Sequence, residues 1–186
     1  MSPINAHRPR AARGFTLTEL MVALSLAIIV IAGILAAYLF LGRNLTRLVN
    51  MQQQEAKSRR ALQYFTRDMS SAIQLTTSTD SQIVLTMPTS GSNTSVTYTY
   101  TAGADGTGTF TRTDTSGTTT MLTDLTAFDF DYYNESGSAI ASSTPQSVKA
   151  VEFTFTSAVG TTLNGTRVTY ASVSPRIVLR NKPLLE

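Results

Sequence analysis

An uninterrupted apolar stretch near the start of the chain constrains the fold more than any other feature. It runs from Leu20 to Leu41, has no charged residue and no proline, and contains Ser25 as its one clearly polar residue. About 20 apolar residues in a helix cross the hydrocarbon core of a bilayer. The stretch is longer than the apolar core of a signal peptide, and no small-x-small cleavage site follows it. We therefore expect a transmembrane helix.

Basic residues lie on both sides of this stretch. Arg8, Arg10 and Arg13 lie in the leader (1–14), which has no acidic residue, and more arginines and lysines than acids follow the stretch over residues 43–68. Because the first helix usually sets the topology, we place the N-terminus in the cytoplasm. The run after the stretch is typical of a solvated helix face that attracts acidic lipid or a partner helix. Nucleic acid is not an expected partner, because the run does not form a basic patch in which aromatic residues alternate with the charges.

The composition argues against catalysis. The chain has no cysteine, and its only histidine is His7, in a segment that we expect to be removed. The mature chain would therefore lack the commonest catalytic base and the commonest ligands of transition metals. We predict no enzyme, no cofactor and no metal centre. Asp129, Asp131 and Glu135 leave calcium open as an alternative, although no EF-hand pattern is present.

A single carboxylate stands at the border of the apolar stretch. Glu19 belongs to the segment Gly14-Phe15-Thr16-Leu17-Thr18-Glu19, which follows the basic leader. A charge at this depth is costly to insert and should have a partner. A glutamate that snorkels to the headgroups would satisfy the same requirement.

The segment resembles the prepilin signature of type IV pilins and type II secretion pseudopilins. The resemblance implies that a prepilin peptidase cleaves after Gly14, that the new N-terminal Phe15 is N-methylated, and that Glu19 pairs with the Phe15 ammonium of a neighbouring subunit. Such a pair would spare both charges an unpartnered position in apolar surroundings.

Helical spacing continues beyond the apolar stretch to about Leu75. Leu62, Phe65, Met69 and Ile73 recur at steps of three and four residues and form one apolar face. Residues 59–69 also resemble the J-type minor pseudopilins and the related minor pilins of type IV pili. We accordingly divide the chain into a leader (1–14), a transmembrane helix (15–42), its amphipathic continuation (43–75) and a β domain (76–186).

Alternating, Ser- and Thr-rich sequence replaces the helical spacing after Leu75. Two segments alternate in this way. In the first, Phe128 and Phe130 share one side of the strand, and Leu125 falls on the other side with Asp129 and Asp131. In the second, Val151, Phe153 and Phe155 share one side. The fold class is therefore α+β and pilin-like, with a long N-terminal helix packed on an antiparallel sheet. The expected strands are Gln82–Met87, Val96–Thr101, Thr109–Thr113, Thr119–Leu122, Leu125–Tyr133, Val148–Thr156 and Arg167–Arg180, with a turn at Ala104-Asp105-Gly106.

Together these features predict a structural subunit of a type IV pilus or a type II secretion pseudopilus. We expect a minor pilin or minor pseudopilin that primes assembly or belongs to the tip complex, anchored in the bacterial inner membrane with a periplasmic C-terminal domain. Its expected partners are other pilins, through the N-terminal helix, the prepilin peptidase and the inner-membrane assembly platform. The alternatives are a major pilin and an envelope enzyme or sensor that uses a pilin-type anchor.

The first prediction concerns processing. Intact-mass analysis of the protein from membranes of cells with an active prepilin peptidase should show a chain that lacks the first 14 residues and begins at N-methylated Phe15. Glycine leaves the backbone open to the peptidase, so Gly14→Ala should slow cleavage and Gly33→Ala should not. A different mature N-terminus, or retention of Met1, would contradict the prediction.

Overall fold

The computed structural model describes residues 14–142, 144–159 and 168–181. The chain divides into two compact units, Met1–Thr46 and Arg47–Glu186. One helix, α1 (Leu17–Ser71), contributes residues to both units, and every described strand belongs to the second. The expected α+β arrangement, a long N-terminal helix followed by a curled antiparallel sheet, is confirmed.

In the first unit, α1 exposes its apolar side chains in all directions. Most large apolar residues between Leu20 and Leu41 are more than half exposed. This part of α1 is long and apolar enough to cross a membrane, with a mean hydropathy of 2.8 over its most apolar window. A helix that is apolar all round lies either in a protein core or in a bilayer. No part of this window is buried within the chain.

The helix ends earlier than the sequence predicts, at Ser71 instead of about Leu75. The backbone N–H of Ile73 donates to the carbonyl of Thr86 at 3.0 Å, so the chain has already joined the sheet there. The side-chain amide of Asn181 lies 3.4 Å from the carbonyls of both Ser70 and Ser71. These contacts satisfy carbonyls that a helix end leaves without intrahelical partners.

The strands of the second unit form one sheet in the described part of the chain. Their order is β1-β2-β3-β4-β5-β7-β8, with β6 paired to β5, β9 paired to β7, and every pairing antiparallel. The bounds are β1 Gln74–Ser78, β2 Gln82–Met87, β3 Thr94–Ala102, β4 Gly108–Asp114, β5 Gly117–Tyr133, β6 Ala139–Ile140, β7 Ala150–Val159, β8 Val168–Val173 and β9 Ile177–Val178.

Some strand predictions are confirmed. Gln82–Met87 is β2 with the expected bounds, and the expected turn joins β3 to β4, with Gly106 at a φ of 76°. Two short strands, β1 and β6, were not predicted. The strand expected over residues 167–180 is instead β8 and β9, separated at 174–176, where Ser174 bonds to Phe153. Arg167 lies outside the described residues.

The prediction of two strands over residues 119–133 was wrong. These residues all belong to one strand, the 17-residue β5 (Gly117–Tyr133), which is irregular in its middle. Asp124 has a φ of 59°, and the pairing with β7 shifts between Leu125 and Ala127. An extra residue in a strand reverses the side on which the preceding residues point. Leu125, expected on the side of Asp129, is therefore fully buried.

The core of the second unit lies between α1 and the concave side of the sheet. Phe65 is fully buried, and its ring centroid lies 5.0 Å from that of Tyr98, 5.1 Å from that of Phe153 and 6.1 Å from that of Phe130. Such ring pairs add to the stabilisation from apolar burial. Met69 is buried as expected.

Other core predictions need correction. On the helix, Leu62 is only half-buried and Ala61 is fully buried. Just after the helix, Ile73 is half-buried and Ala72 is fully buried. On the sheet, Val151, Phe153 and Phe155 are buried as expected, as is Phe130, whereas Phe128 is half-buried. The helix face that packs on the sheet is thus turned slightly from the one predicted.

A buried ion pair lies inside this interface. Asp68 on α1 is 2% exposed and accepts a hydrogen bond of 2.6 Å from Nε of Arg112 on β4 and one of 2.8 Å from the hydroxyl of Tyr98 on β3. Arg112 also donates to Asp114, and Arg67 donates to the second carboxylate oxygen of Asp68 at 3.0 Å. One helix residue is therefore tied to two strands.

The environment shifts the pKa of Tyr98 and of Arg112. Burial raises the pKa of Tyr98 above its usual range, and the Asp68 carboxylate adds to that effect. Burial by itself would lower the pKa of Arg112, but its hydrogen bonds to Asp68 and Asp114 raise it above its ordinary value. The arrangement therefore holds a charged guanidinium and a neutral phenol at neutral pH.

The second prediction follows from this pair. Asp68→Ala should lower the free energy of unfolding of the second unit by about 3 kcal/mol, because Arg112 and Tyr98 would lose their shared buried acceptor and Arg112 would keep only Asp114. The measurement is denaturant unfolding of the detergent-solubilised full chain, followed by tyrosine fluorescence, with the exposed Glu135→Ala as control. The double variant with Asp68→Leu and Arg112→Met lacks both charges of the pair and should recover most of the stability that Asp68→Ala loses. Equal stability of Asp68→Ala and wild type would refute the interpretation.

Candidate functional site: the segment Gly14–Glu19

The predicted cleavage position is accessible. Phe15 is 88% exposed, and the residues from Gly14 to Glu19 are all exposed. Among the described residues, no atom outside the immediate chain neighbours lies within 4 Å of the position that a Cβ on Gly14 would occupy. The first helical residue is Leu17, so Gly14 and Phe15 precede the helix. Both residues that flank the expected cut therefore lie in open, non-helical backbone. The basic leader residues lie outside the described part of the chain.

Glu19 and Thr16 form a reciprocal capping box at the start of α1. The backbone N–H of Thr16 donates to Oε2 of Glu19 at 2.9 Å, and the N–H of Glu19 donates to Oγ1 of Thr16 at 3.3 Å. The carbonyl of Thr16 accepts the first helical bond, from the N–H of Leu20 at 3.2 Å. In this motif two N–H groups without intrahelical partners are satisfied by two side chains.

The capping box occupies only part of the Glu19 carboxylate. Oε2 accepts both the backbone bond and a bond of 2.8 Å from the Thr16 hydroxyl, whereas no hydrogen bond to Oε1 is found within the described residues. A carboxylate has about four lone-pair sites on its two oxygens. Oε1 therefore keeps its capacity to accept a bond from a cation outside the chain.

The capping role was missed in the sequence interpretation. A threonine followed three positions later by a glutamate, just before an apolar run, is the sequence signature of this motif. Glu19 thus has a structural partner within its own chain, and neither snorkelling nor a neighbouring subunit is needed to explain its presence. The cap itself uses only Oε2 of Glu19.

Two further points concern chemistry elsewhere in the chain. The described residues contain no group of three or more His, Asp or Glu side chains arranged to hold a metal ion. The other residues missed by sequence reasoning are Asp68, Arg112 and Tyr98. Only Asp68 could have been noticed in the sequence. It lies three residues after Phe65 and one before Met69, so the helical spacing places an acid on the core face of the helix.

Comparison with known families identifies the N-terminal segment. Residues 9–35 match the model of the prokaryotic N-terminal methylation motif, and this range includes Gly14, Phe15, Glu19 and the apolar stretch as far as residue 35. The match supports the pilin-like superfamily and a membrane-anchored pilin-like subunit that is processed by prepilin peptidase and associates with other pilins. No curated protein shows significant similarity to the chain.

The third prediction concerns the capping box. Thr16→Ala should destabilise the first helical turn by about 1 kcal/mol, because Glu19 loses one hydrogen-bond partner and its own N–H loses an acceptor. Hydrogen exchange of the amides of Glu19 and Leu20, measured by NMR in micelles, should then be about fivefold faster. Thr16→Ser keeps the hydroxyl and should exchange like wild type. Unchanged exchange in Thr16→Ala would show that Thr16 does not cap the helix.

Proposed function

We propose that this chain is a structural subunit of a membrane-rooted filament, a minor pilin of a type IV pilus or a minor pseudopilin of a type II secretion system. The observation that carries the proposal is the methylation motif at residues 9–35, placed directly before an exposed helix of membrane-spanning length. Its expected roles are priming of assembly and formation of the tip complex.

Charge pairing is the proposed mechanism of assembly. Cleavage after Gly14 creates an ammonium group at Phe15, and N-methylation keeps its positive charge. In apolar surroundings this cation needs an anion, and Glu19 of an adjacent subunit offers the oxygen that its capping box leaves unused. The apolar helix surface is suited both to the bilayer and to a filament core of similar helices, so a subunit can move from one to the other.

The minor class is proposed from the resemblance of residues 59–69 to J-type minor pseudopilins and related minor pilins. In that segment Arg67 and Asp68 share a hydrogen bond and join the ion-pair cluster that holds α1 on the sheet. A structural role is consistent with such a cluster, which supports packing. A major pilin is the second candidate within the same class, and we propose no enzymatic activity for the chain.

The proposed location follows from the topology. The leader with its three arginines lies in the cytoplasm, the apolar half of α1 spans the inner membrane, and the β domain lies in the periplasm. The subunit then passes from the membrane into the pilus or pseudopilus. Its partners on this route are the prepilin peptidase, the inner-membrane assembly platform and other pilins.

The fourth prediction tests the assembly role. Glu19→Ala should leave membrane insertion and leader cleavage near normal, because removing a carboxylate from the apolar segment favours insertion. Co-purification with other pilins should fall strongly, since leaving one member of a buried pair without its partner costs about 3–5 kcal/mol. The measurement is affinity purification of cross-linked envelope material, with Glu55→Ala as the matched control.

Two outcomes separate the roles of Glu19. Thr16→Ala removes only the capping partner, so it should reduce assembly less than Glu19→Ala does. Glu19→Asp keeps the charge but has a shorter reach, and its co-purification with other pilins should be intermediate.

If Glu19→Ala co-purified like wild type, the pairing mechanism would be wrong. If the wild-type chain were neither cleaved nor found with any pilin, the proposed function itself would fail.

A further inference from the structure

A basic groove lies along one side of α1 in the second unit. Its walls are formed by Arg59, Arg60, Gln63, Tyr64 and Arg67. The groove continues towards the β4–β5 turn, where Ser116–Thr119 form its far wall. The ring centroid of Tyr64 lies 5.7 Å from the guanidinium carbon of Arg60, 5.6 Å from that of Arg112 and 4.8 Å from that of Arg67. An aromatic ring flanked by arginines offers both a contact surface and positive charge.

The arginines of this groove differ in how far they are neutralised. Arg59 pairs with Glu55 at 2.6 Å, and Arg67 pairs with Asp68 at 3.0 Å. Arg112 and Asp114 also line the extension of the groove, where Arg112 pairs with both Asp68 and Asp114. Arg60 is exposed and makes no ion pair with any residue that the structure describes. The groove therefore carries net positive charge that the described part of the chain does not balance.

The outer side of the sheet carries an opposite charge. Asp129 and Asp131 on β5 are both exposed and make no ion pair with a basic group in the described ranges. Partial burial raises the pKa of Asp129, and the nearby carboxylates of Asp131 and Asp80 raise it further. The opposing residue of Asp131 on β7 is Glu152, whose cationic partner is Arg176. Like charges thus repel one another on this face.

These two surfaces cannot meet within one copy. Phe130 and Tyr132 point from β5 into the core under α1, so the alternating Asp129 and Asp131 point away from it. The basic groove is lined by residues of α1, which packs on the opposite, concave side of the sheet. A contact between the groove of one copy and the acidic face of another joins two different surfaces. Such heterologous contacts repeat in one direction and generate filaments unless a rotation closes them.

We propose that the basic groove around Arg60 and Tyr64 docks the Asp129–Asp131 face of a second copy of this chain. The inference rests on the proposed function, because it describes a contact between β domains of adjacent filament subunits. It requires two neighbouring copies, as in a filament shaft; a tip complex that holds a single copy would not form it. The contact relieves the repulsion among the carboxylates and neutralises Arg60 at the same time.

The absence of cysteine makes the contact directly testable by cross-linking. Gln63 lies in the groove, and Ala127 is exposed on the acidic face two residues before Asp129. Two differently tagged full-length copies, one with Gln63→Cys and one with Ala127→Cys, are produced together and treated in membranes with a short bis-maleimide. A cross-linked pair that carries both tags is expected. A matched control replaces Ala127→Cys with Ser92→Cys, an exposed position in the loop between β2 and β3, and should give at least about tenfold less product.

Charge reversal then tests the recognition. Arg60→Glu in the Gln63→Cys copy should lower the yield at least about tenfold, because like charges facing each other cost several kcal/mol. Asp131→Lys in the other copy should restore it. Arg180→Glu makes the same change at an exposed position outside the groove and should leave the yield unchanged.

Three results would overturn the inference. The first is equal linkage at Ser92 and Ala127, and the second is an Arg60→Glu variant that links like wild type. The third is linkage of Gln63→Cys only to a different pilin. In each case, normal co-purification of the wild-type chain with pilins would leave the proposed function standing, so the two failures are distinguishable.

Discussion

The apolar surface of the first half of α1 is the constraint on which the rest of the arrangement depends. Between Leu20 and Leu41 the side chains are exposed on every side of the helix, and nothing else in the described chain covers them. Water cannot be the permanent surroundings of such a surface. A bilayer and a bundle of similar helices can both cover it. The proposed transfer from membrane to filament is therefore an exchange between two environments of similar polarity, in which charge pairs set the specificity.

Two carboxylates, one in each unit, lie in different environments. Glu19 is exposed and bonds only to Thr16, so its carboxylate remains open to an external cation. Asp68 is buried, and its oxygens are taken by Arg67, Tyr98 and Arg112. The first arrangement suits a contact that forms during assembly. The second suits a permanent attachment of the helix to the sheet, since breaking it would leave a buried charge.

Local sequence signals predicted the segments that depend on local physics. The apolar run, the motif around Gly14 and Glu19, strand β2 and the β3–β4 turn could all be read from neighbouring residues. Errors arose where distant contacts intervene. The helix stops at Ser71 because Ile73 bonds to β2. Strand β5 runs through Asp124 because it pairs with β4 before the irregularity and with β7 after it.

The sequence by itself determined the long helix, its membrane-spanning half, the methylation motif and the change to antiparallel strands after residue 75. Each is set by composition or periodicity over adjacent residues, which tertiary contacts leave unchanged. Only the tertiary structure decided the partners of Asp68, the burial of Leu125 and the placement of the basic groove opposite the acidic face. Arg112 lies 44 positions from Asp68, and the side on which a strand residue points depends on one bulge. Neither is encoded in local spacing, because both arise from the way the strands pair.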